Sequence, residues 1–267
     1  MQISIKQCLF NNYKLIILFF SFCFFAACAT VPYTKRRSFI LISEREEIEL
    51  GETAYQNLMK EVKISEDLEI NQKIERIGRR IAKTANKPGY KWEFKVIKND
   101  KTVNAFCLPG GKVVFFTGII PLCEDEEGIA VVMGHEIAHA VARHGAERLT
   151  NSLLAQVGAQ LLQKAIKDKS PEAQKGILRV YGVGAQVGAL LPFSRTHEYE
   201  ADHIGLILMA KAGYNPERAV SFWKRMADLS KGRKPPEFLS THPTDDKRVE
   251  QLKNLLPEAM KYYKEAN

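Results

Sequence analysis

Two histidines and a glutamate stand at a spacing that suits a catalytic metal ion. His135, Glu136 and His139 form a His-Glu-x-x-His sequence inside an apolar, helix-favouring run from 129 to 142. Because residues four apart lie on one face of a helix, one turn apart, both imidazoles can face a single ion. Glu136 is one step round the helix and can reach a water on that ion without becoming a ligand. The pattern is typical of zinc hydrolases, in which this glutamate is the general base.

A second segment offers the third ligand that such a site needs. Catalytic zinc takes three protein ligands and keeps one position for water. Residues 194–202 read SRTHEYEAD, and Glu198 and Asp202, four apart, share one helix face. Glu198 can bind the metal, while Asp202 can accept a hydrogen bond from a ligand histidine and fix its orientation. Glu200, on the opposite face, is the alternative candidate for the third ligand, and we expect it instead to be a solvated surface group.

The alternative for His135 and His139 is a pair of hydrogen-bonded core histidines. Two buried histidines beside a buried carboxylate are costly unless they are paired or bound to metal, which favours the metal site. We do not expect a purely structural zinc site, because such sites usually use closed, cysteine-rich ligand sets. We expect the other histidines to be structural or surface groups, and they are His144, His197 and His203.

Four segments of the chain form an ordered set of motifs: Asn104-Ala105-Phe106 with Pro109-Gly110-Gly111, His135-Glu136-x-x-His139, Ser194-Arg195 with Glu198 and Asp202, and Thr241-His242-Pro243. In this order they resemble the motifs of metallopeptidase family forty-eight, the group of the CAAX prenyl, HtpX and Oma-type proteases. Because the chain lacks long apolar spans, it resembles most the lipid-anchored branch of the periplasmic beta-barrel assembly-enhancing protease. Together they cover nearly all of residues 40–250.

The resemblance implies an α+β, mainly helical gluzincin fold, with a small sheet at about residues 90–116 packed beside the zinc helix. It implies one zinc per chain, Glu198 as the third ligand and Asp202 as its supporting group. His242 then matches one of two roles. It is a gate, meaning a fourth ligand that excludes the catalytic water, or it hydrogen-bonds the oxyanion of the tetrahedral intermediate.

The resemblance also implies that the edge strand of the small sheet receives the peptide substrate. An extended polypeptide can add to a sheet edge through main-chain hydrogen bonds, which favours unfolded clients over compact ones. We expect the receiving strand at Asn104, Ala105 and Phe106, or at its hairpin partner 112–116.

The N-terminus resembles the signal peptide of a bacterial lipoprotein. Lys6 and Lys14 precede an apolar run of residues 15–25, and Ala26-Ala27-Cys28 resembles a lipobox. We expect residues 1–27 to be removed, Cys28 to carry lipid, residues 28–38 to be a tether and residues 39–267 to be the peptidase domain. Ala29 after the cysteine resembles sorting to the outer membrane, with the domain on its periplasmic face. The alternative is an uncleaved membrane anchor.

The net charge bears on nucleic-acid binding, and the cysteine content bears on a possible disulfide. Removal of residues 1–27 lowers the net charge from +8 to +6, because it takes away Lys6 and Lys14 and no acidic residue. The positive charge is spread along the chain, so we expect no nucleic-acid partner. Cys107 and Cys123 could form a disulfide or be small buried hydrophobes, and the sequence leaves this open.

Periodicity predicts the elements around the site. Helices are expected from the glutamate-rich segment after Phe39, at 67–86, from about Glu124 through the metal motif, at 144–166, from Pro171, at 194–212, at 215–229 and at 245–265. Ser194 is expected to cap its helix, and the apolar stretch 180–193 is expected to be a core helix rather than a mobile cover over the site.

These features predict a zinc metalloendopeptidase of the bacterial cell envelope that hydrolyses unfolded or misassembled envelope proteins. Glu136 would take a proton from the attacking water and return it to the leaving amine. The alternative is a metal-containing chaperone or assembly factor with latent or little proteolytic activity.

Overall fold

A computed structural model of the chain describes residues 28–186, 191–230, 236–242 and 246–266. The strands are β1 (Cys28–Thr30), β2 (Arg37–Phe39), β3 (Glu93–Ile97), β4 (Ala105–Leu108) and β5 (Lys112–Phe116). The helices are α1 (Glu44–Glu61), α2 (Leu68–Thr84), α3 (Ile120–Cys123), α4 (Glu126–Val141), α5 (His144–Ala165), α6 (Pro171–Ala185), α7 (Leu191–Lys211), α8 (Arg218–Ser230), α9 (Glu237–Thr241) and α10 (Asp246–Ala266). The mainly helical α+β prediction is confirmed.

The small sheet has the order β3-β5-β4, with β5 in the centre. β5 pairs in parallel with β3 and antiparallel with β4. Gly110 and Gly111 make the β4–β5 turn with φ angles of 84° and 89°, a region that side chains rarely adopt. Since both edges of β5 are occupied, the expectation that residues 112–116 receive the substrate is wrong. β3 and β4 are the two edge strands of this sheet, and β4 is the one that contains the predicted substrate residues Ala105 and Phe106.

Helix α4 lies at the centre of the core. Every residue from Gly128 to Val141 is buried, and the helix packs against α7, α2 and β4. It begins two residues later than predicted, because Asp125 caps it by accepting a 2.9 Å hydrogen bond from the Gly128 N–H. Acidic residues in the first turn suit the positive end of the helix dipole.

Two glycines let α4 and α7 approach each other closely. A Cβ atom added at Gly134 would lie 2.8 Å from the carbonyl oxygen of Gly205, which is closer than packed atoms allow. Gly134 directly precedes the histidine motif. The close crossing therefore brings the ligand candidates of the two helices to the same place.

The segment expected as a tether is folded. β1 and β2 form a two-stranded antiparallel hairpin, in which Cys28 pairs with Phe39. Val31 is buried in the main core and Ile40 follows the hairpin as another buried residue. The division of the chain at residues 28 and 39 stays a prediction, but residues 28–38 pack on the domain. The predicted signal peptide, 1–27, lies outside the described residues.

In its first described part, residues 180–185, the apolar stretch 180–193 is not buried in the core. α6 ends at Ala185 and has no buried residue, and the next described helix starts at Leu191, before the predicted cap at Ser194. Val180 and Val183 are exposed by 74% and 58%. The expectation of a core helix is therefore wrong for residues 180–185, which lie at the surface. Residues 187–190 lie outside the described structure.

Two further observations concern the membrane and the cysteines. In the described part of the chain, no helix is both long enough and apolar enough to cross a bilayer. Cys107 in β4 and Cys123 at the end of α3 are free thiols. Of the two interpretations left open for this pair, the structure has the one without a disulfide.

Candidate metal centre

Four buried side chains from three parts of the chain point donor atoms at one place. They are His135 and His139 of α4, Glu198 of α7, and His242, which directly follows α9. One ligand atom from each lies within 4.8 Å of all the others. The first three are the residues expected from the sequence as ligands, and His242 is the residue expected as a fourth ligand or an oxyanion group.

The separations between the donor atoms fit a tetrahedral zinc ion. With metal–ligand bonds near 2.0–2.1 Å, tetrahedral donors lie roughly 3.3 Å apart. The Nε2 atom of His135 is 3.1 Å from His139 Nε2, 3.1 Å from His242 Nδ1 and 3.3 Å from Glu198 Oε2. Glu198 Oε1 is buried without a hydrogen-bond partner among the described residues, although it is 3.4 Å from His139 Nε2. Three nitrogens and a carboxylate suit zinc, and the residues therefore fit the ion.

Glu136 lies beside the donor cluster without joining it. Its Oε1 atom is buried, is 3.4 Å from His242 Nε2, and has no hydrogen-bond partner in the described part of the chain. Burial raises the pKa of Glu136 to about 7, against an opposing effect of His242. A carboxylate with a pKa near neutrality is suited to accept and return a proton at neutral pH.

Asp202 supports His135, as the helix spacing predicted. Its Oδ1 atom is 3.0 Å from His135 Nδ1, on the side of the ring away from the donor cluster. This contact fixes the tautomer in which Nε2 is free to bind metal. Burial opposes ionisation of Asp202, but Arg248 and His135 hold the pKa of this carboxyl below its usual value.

Arg248 is a site residue that the sequence reasoning missed. It donates hydrogen bonds of 2.7 and 2.8 Å to the two oxygens of Asp202, and its guanidinium lies 3.3 Å from the centroid of the Trp223 ring. It also lies 3.4 Å from Glu198 Oε2. One sequence signal could have found it, since Arg248 is four residues before Leu252 on the buried face of α10.

Glu200 does not solvate the surface, so that expectation is wrong. Its side chain is buried and is bonded by Arg36 and His144. The helical-wheel argument failed because α7 packs on several sides, and the β1–β2 hairpin covers the face that was assigned to solvent. His144 and His197 are fully buried structural groups, whereas His203 is partly exposed and bonds Glu258. The structural or surface assignment of these three histidines therefore fits the structure.

The predicted substrate residues lie at the start of the edge strand. Asn104 precedes β4 and donates a 3.3 Å hydrogen bond to Glu237 of α9, while the Phe238 N–H donates to the Val103 carbonyl. Ala105 is buried, and β4 packs against α4. Helix α9, which carries His242 at its end, is thereby attached to the beginning of the edge strand.

Comparison with known sequences agrees with the site geometry. The sequence profile described as peptidase family M48 matches residues 69–256. The mitochondrial metalloendopeptidase OMA1 of Schizosaccharomyces pombe is 38% identical over 88% of this chain and 68% of its own length. The OMA1 protein of Saccharomyces cerevisiae is 34% identical over 96% of this chain and 78% of its own length.

A beta-barrel assembly-enhancing protease is also similar. The protein of this name from Yersinia pestis is 30% identical over 80% of this chain, but the match covers only 44% of that longer protein. The two OMA1 matches have higher identity than this one. That this chain is most similar to the lipid-anchored branch of the family therefore stays a prediction.

Proposed function

The chain belongs to peptidase family M48, and we propose that it cleaves unfolded or misassembled proteins of the bacterial cell envelope. Family membership makes it a zinc metalloendopeptidase with polypeptide substrates. The observation that carries the proposed substrate class is the position of β4, an edge strand packed against the helix of the metal centre. Only a client that can present an extended segment can pair with such an edge.

The residues of the site divide the chemical work between them. His135, His139 and Glu198 would hold the zinc, with Asp202 orienting His135. The bound ion supplies Lewis acidity, which lowers the pKa of a water and polarises the scissile carbonyl. Glu136 takes the proton of the attacking water and returns it to the leaving amine.

The experiment that tests this function is cleavage of casein, an unfolded protein, by the zinc-loaded enzyme. Wild type should cleave it, and Glu136→Gln should not. A compact, stably folded protein of similar size should resist, because it offers no extended segment. Cleavage of both at equal rates would contradict the proposed client class.

His242 supports a second proposal, that the enzyme rests in a latent state. Its Nδ1 atom lies 3.0 Å from Glu198 Oε2 and within the donor cluster, where it would act as the fourth ligand and exclude the catalytic water. The backbone N–H of His242 donates a 2.7 Å hydrogen bond to the Phe238 carbonyl, and the imidazole contacts the Phe238 ring. Helix α9 also contacts the start of β4. We therefore propose that pairing of a substrate with β4 moves α9 and releases His242 from the donor cluster. A latent enzyme of this kind would support the alternative function, a metal-containing chaperone or assembly factor with little proteolytic activity.

Replacing His242 with alanine should raise casein cleavage several-fold at neutral pH with zinc retained, because the fourth position opens to water. Zinc content is measured in parallel. His203→Ala is the matched control, since His203 bonds Glu258 far along the chain and lies outside the donor cluster. Lower activity with zinc retained would instead assign His242 to the oxyanion, and unchanged activity would remove it from the site.

We further propose that Cys28 carries lipid and holds the enzyme at the periplasmic face of the outer membrane. Support comes from the lipobox-like sequence and from the basic and apolar residues before it. Cys28→Ser should lose lipid labelling and leave the membrane fraction, while Cys107→Ser should keep both. Lipid labelling that persists in Cys28→Ser would refute the anchor.

A further inference from the structure

A chain of polar side chains runs from the back of His139 into the core. The Nδ1 atom of His139, on the side of the ring away from the donor cluster, lies 2.9 Å from His144 Nδ1. The other nitrogen of His144, Nε2, lies 2.9 Å from Glu200 Oε2. His144 is fully buried, and Glu200 is 5% exposed. None of these contacts uses one of the donor atoms that face the proposed metal.

The order of donors and acceptors along this chain follows from metal binding. When His139 binds through Nε2, its Nδ1 must carry the hydrogen and donate it to His144 Nδ1. His144 then carries its own hydrogen on Nε2 and donates it to the Glu200 carboxylate. Ligand histidines are commonly oriented by a carboxylate on the outer nitrogen. Here a second histidine is inserted between the ligand and the carboxylate.

Glu200 is in turn held by the N-terminal hairpin. Arg36 donates from Nε to Glu200 Oε2 at 2.8 Å, and the hydroxyl of Thr34 donates to Glu200 Oε1. The remaining fork of Arg36 binds both oxygens of Glu147 at 2.8 Å. Arginine suits this place because its planar fork serves two carboxylates at once, which a lysine cannot do.

Glu147 closes the network from helix α5. It lies 3.0 Å from His197 Nε2, and the His197 ring stacks on His144 with a centroid distance of 4.2 Å and an interplanar angle of 15°. The orientation of His144 is therefore fixed from two sides, by hydrogen bonds along its edge and by a ring against its face. Arg36 is the one cation that bonds both carboxylates among the described contacts.

We propose that Arg36 is a positioning residue of the metal centre, which acts on His139 through Glu200 and His144. The hairpin of residues 28–39 is then part of the catalytic unit rather than a linker to it. Arg36 lies outside residues 69–256, the part that matches the family profile. This inference rests on zinc binding at the site proposed above.

The test is the zinc affinity of Arg36→Ala, measured by competition with a chelator on the full chain. Loss of a residue that supports a metal ligand typically weakens metal binding 10–100-fold. We expect the zinc affinity of Arg36→Ala to fall by about 10-fold, because two residues, Glu200 and His144, lie between Arg36 and the ligand. The zinc affinity of Arg36→Lys should lie between that of Arg36→Ala and that of wild type. Arg37→Ala is the matched control, since it removes the same charge from the next residue, which is exposed.

Two measurements separate positioning from general stability. In cobalt-substituted protein, Arg36→Ala should shift the visible absorption bands, which report the ligand geometry, and Arg37→Ala should not. In a double-mutant cycle, Arg36→Ala combined with His144→Phe should bind zinc no more weakly than His144→Phe alone, because both changes break one chain of contacts. Circular dichroism of the zinc-free proteins shows whether each variant folds.

The outcomes decide between the proposals. Unchanged zinc affinity and an unchanged cobalt spectrum in folded Arg36→Ala would overturn the positioning role, as would additive losses in the double mutant. If Arg36→Ala does not fold, Arg36→Lys and Thr34→Val carry the same comparison. A wild type that binds no zinc would overturn the proposed function itself.

Discussion

Glu136→Gln is expected to lose casein cleavage by about 10²–10⁴-fold while it keeps its zinc, because general-base catalysis contributes that much. Glutamine has nearly the same shape as glutamate but cannot accept the proton of the attacking water. Glu136 Oε1 is buried and has no hydrogen-bond partner among the described residues. The substitution therefore removes the base without breaking a structural contact that the donor cluster needs.

The measurement is the rate of casein cleavage per bound zinc, so that metal loss is not mistaken for lost chemistry. Asn104→Ala gives a useful contrast, since it changes the contact between the edge strand and α9 but leaves the base in place. It should weaken substrate binding more than turnover. Activity of Glu136→Gln close to wild type would mean that another group accepts the proton.

The sequence predicted those parts of the site that depend on local spacing. The pairs His135 with His139, and Glu198 with Asp202, each lie four residues apart, and the α-helix alone places such pairs on one face. The apolar run around the first pair also predicted that α4 would be buried. These inferences needed no knowledge of how distant segments meet.

The parts that the sequence did not predict are long-range contacts. Arg248 is 46 residues from Asp202, and Arg36 is 164 residues from Glu200, so no spacing rule connects either pair. Glu200 was assigned to solvent because a helical wheel allows one buried face, whereas α7 is enclosed by α4, α10 and the hairpin. Buried charge pairs of this kind follow from tertiary packing and are visible only once the segments are assembled.

Removal of the third ligand has the other large effect that we expect, which is loss of the metal. In Glu198→Gln, zinc affinity should fall by about 100-fold or more, since even residues behind the ligands cost 10–100-fold. Glutamine keeps the size of the side chain but removes the anionic charge that two histidines and the cation Arg248 face. Activity should be lost with the zinc and should not return at ordinary zinc concentrations.

Glu136→Gln is the matched control for this prediction. It makes the same chemical change at a buried carboxylate that lies beside the donor cluster without joining it. It should keep zinc at wild-type affinity, so the two variants separate a ligand from a base. Glu200→Gln gives the remaining comparison. Its zinc affinity should fall moderately, because Glu200 contacts His144 and not the ion. Full zinc content in Glu198→Gln together with complete loss in Glu200→Gln would mean that Glu200 is the ligand. The expected ordering of zinc loss, Glu198, then Glu200, then Glu136, follows from the contacts of the three carboxylates. Glu198 is a ligand candidate, Glu200 supports His139 through His144, and Glu136 Oε1 makes no hydrogen bond to a ligand among the described residues.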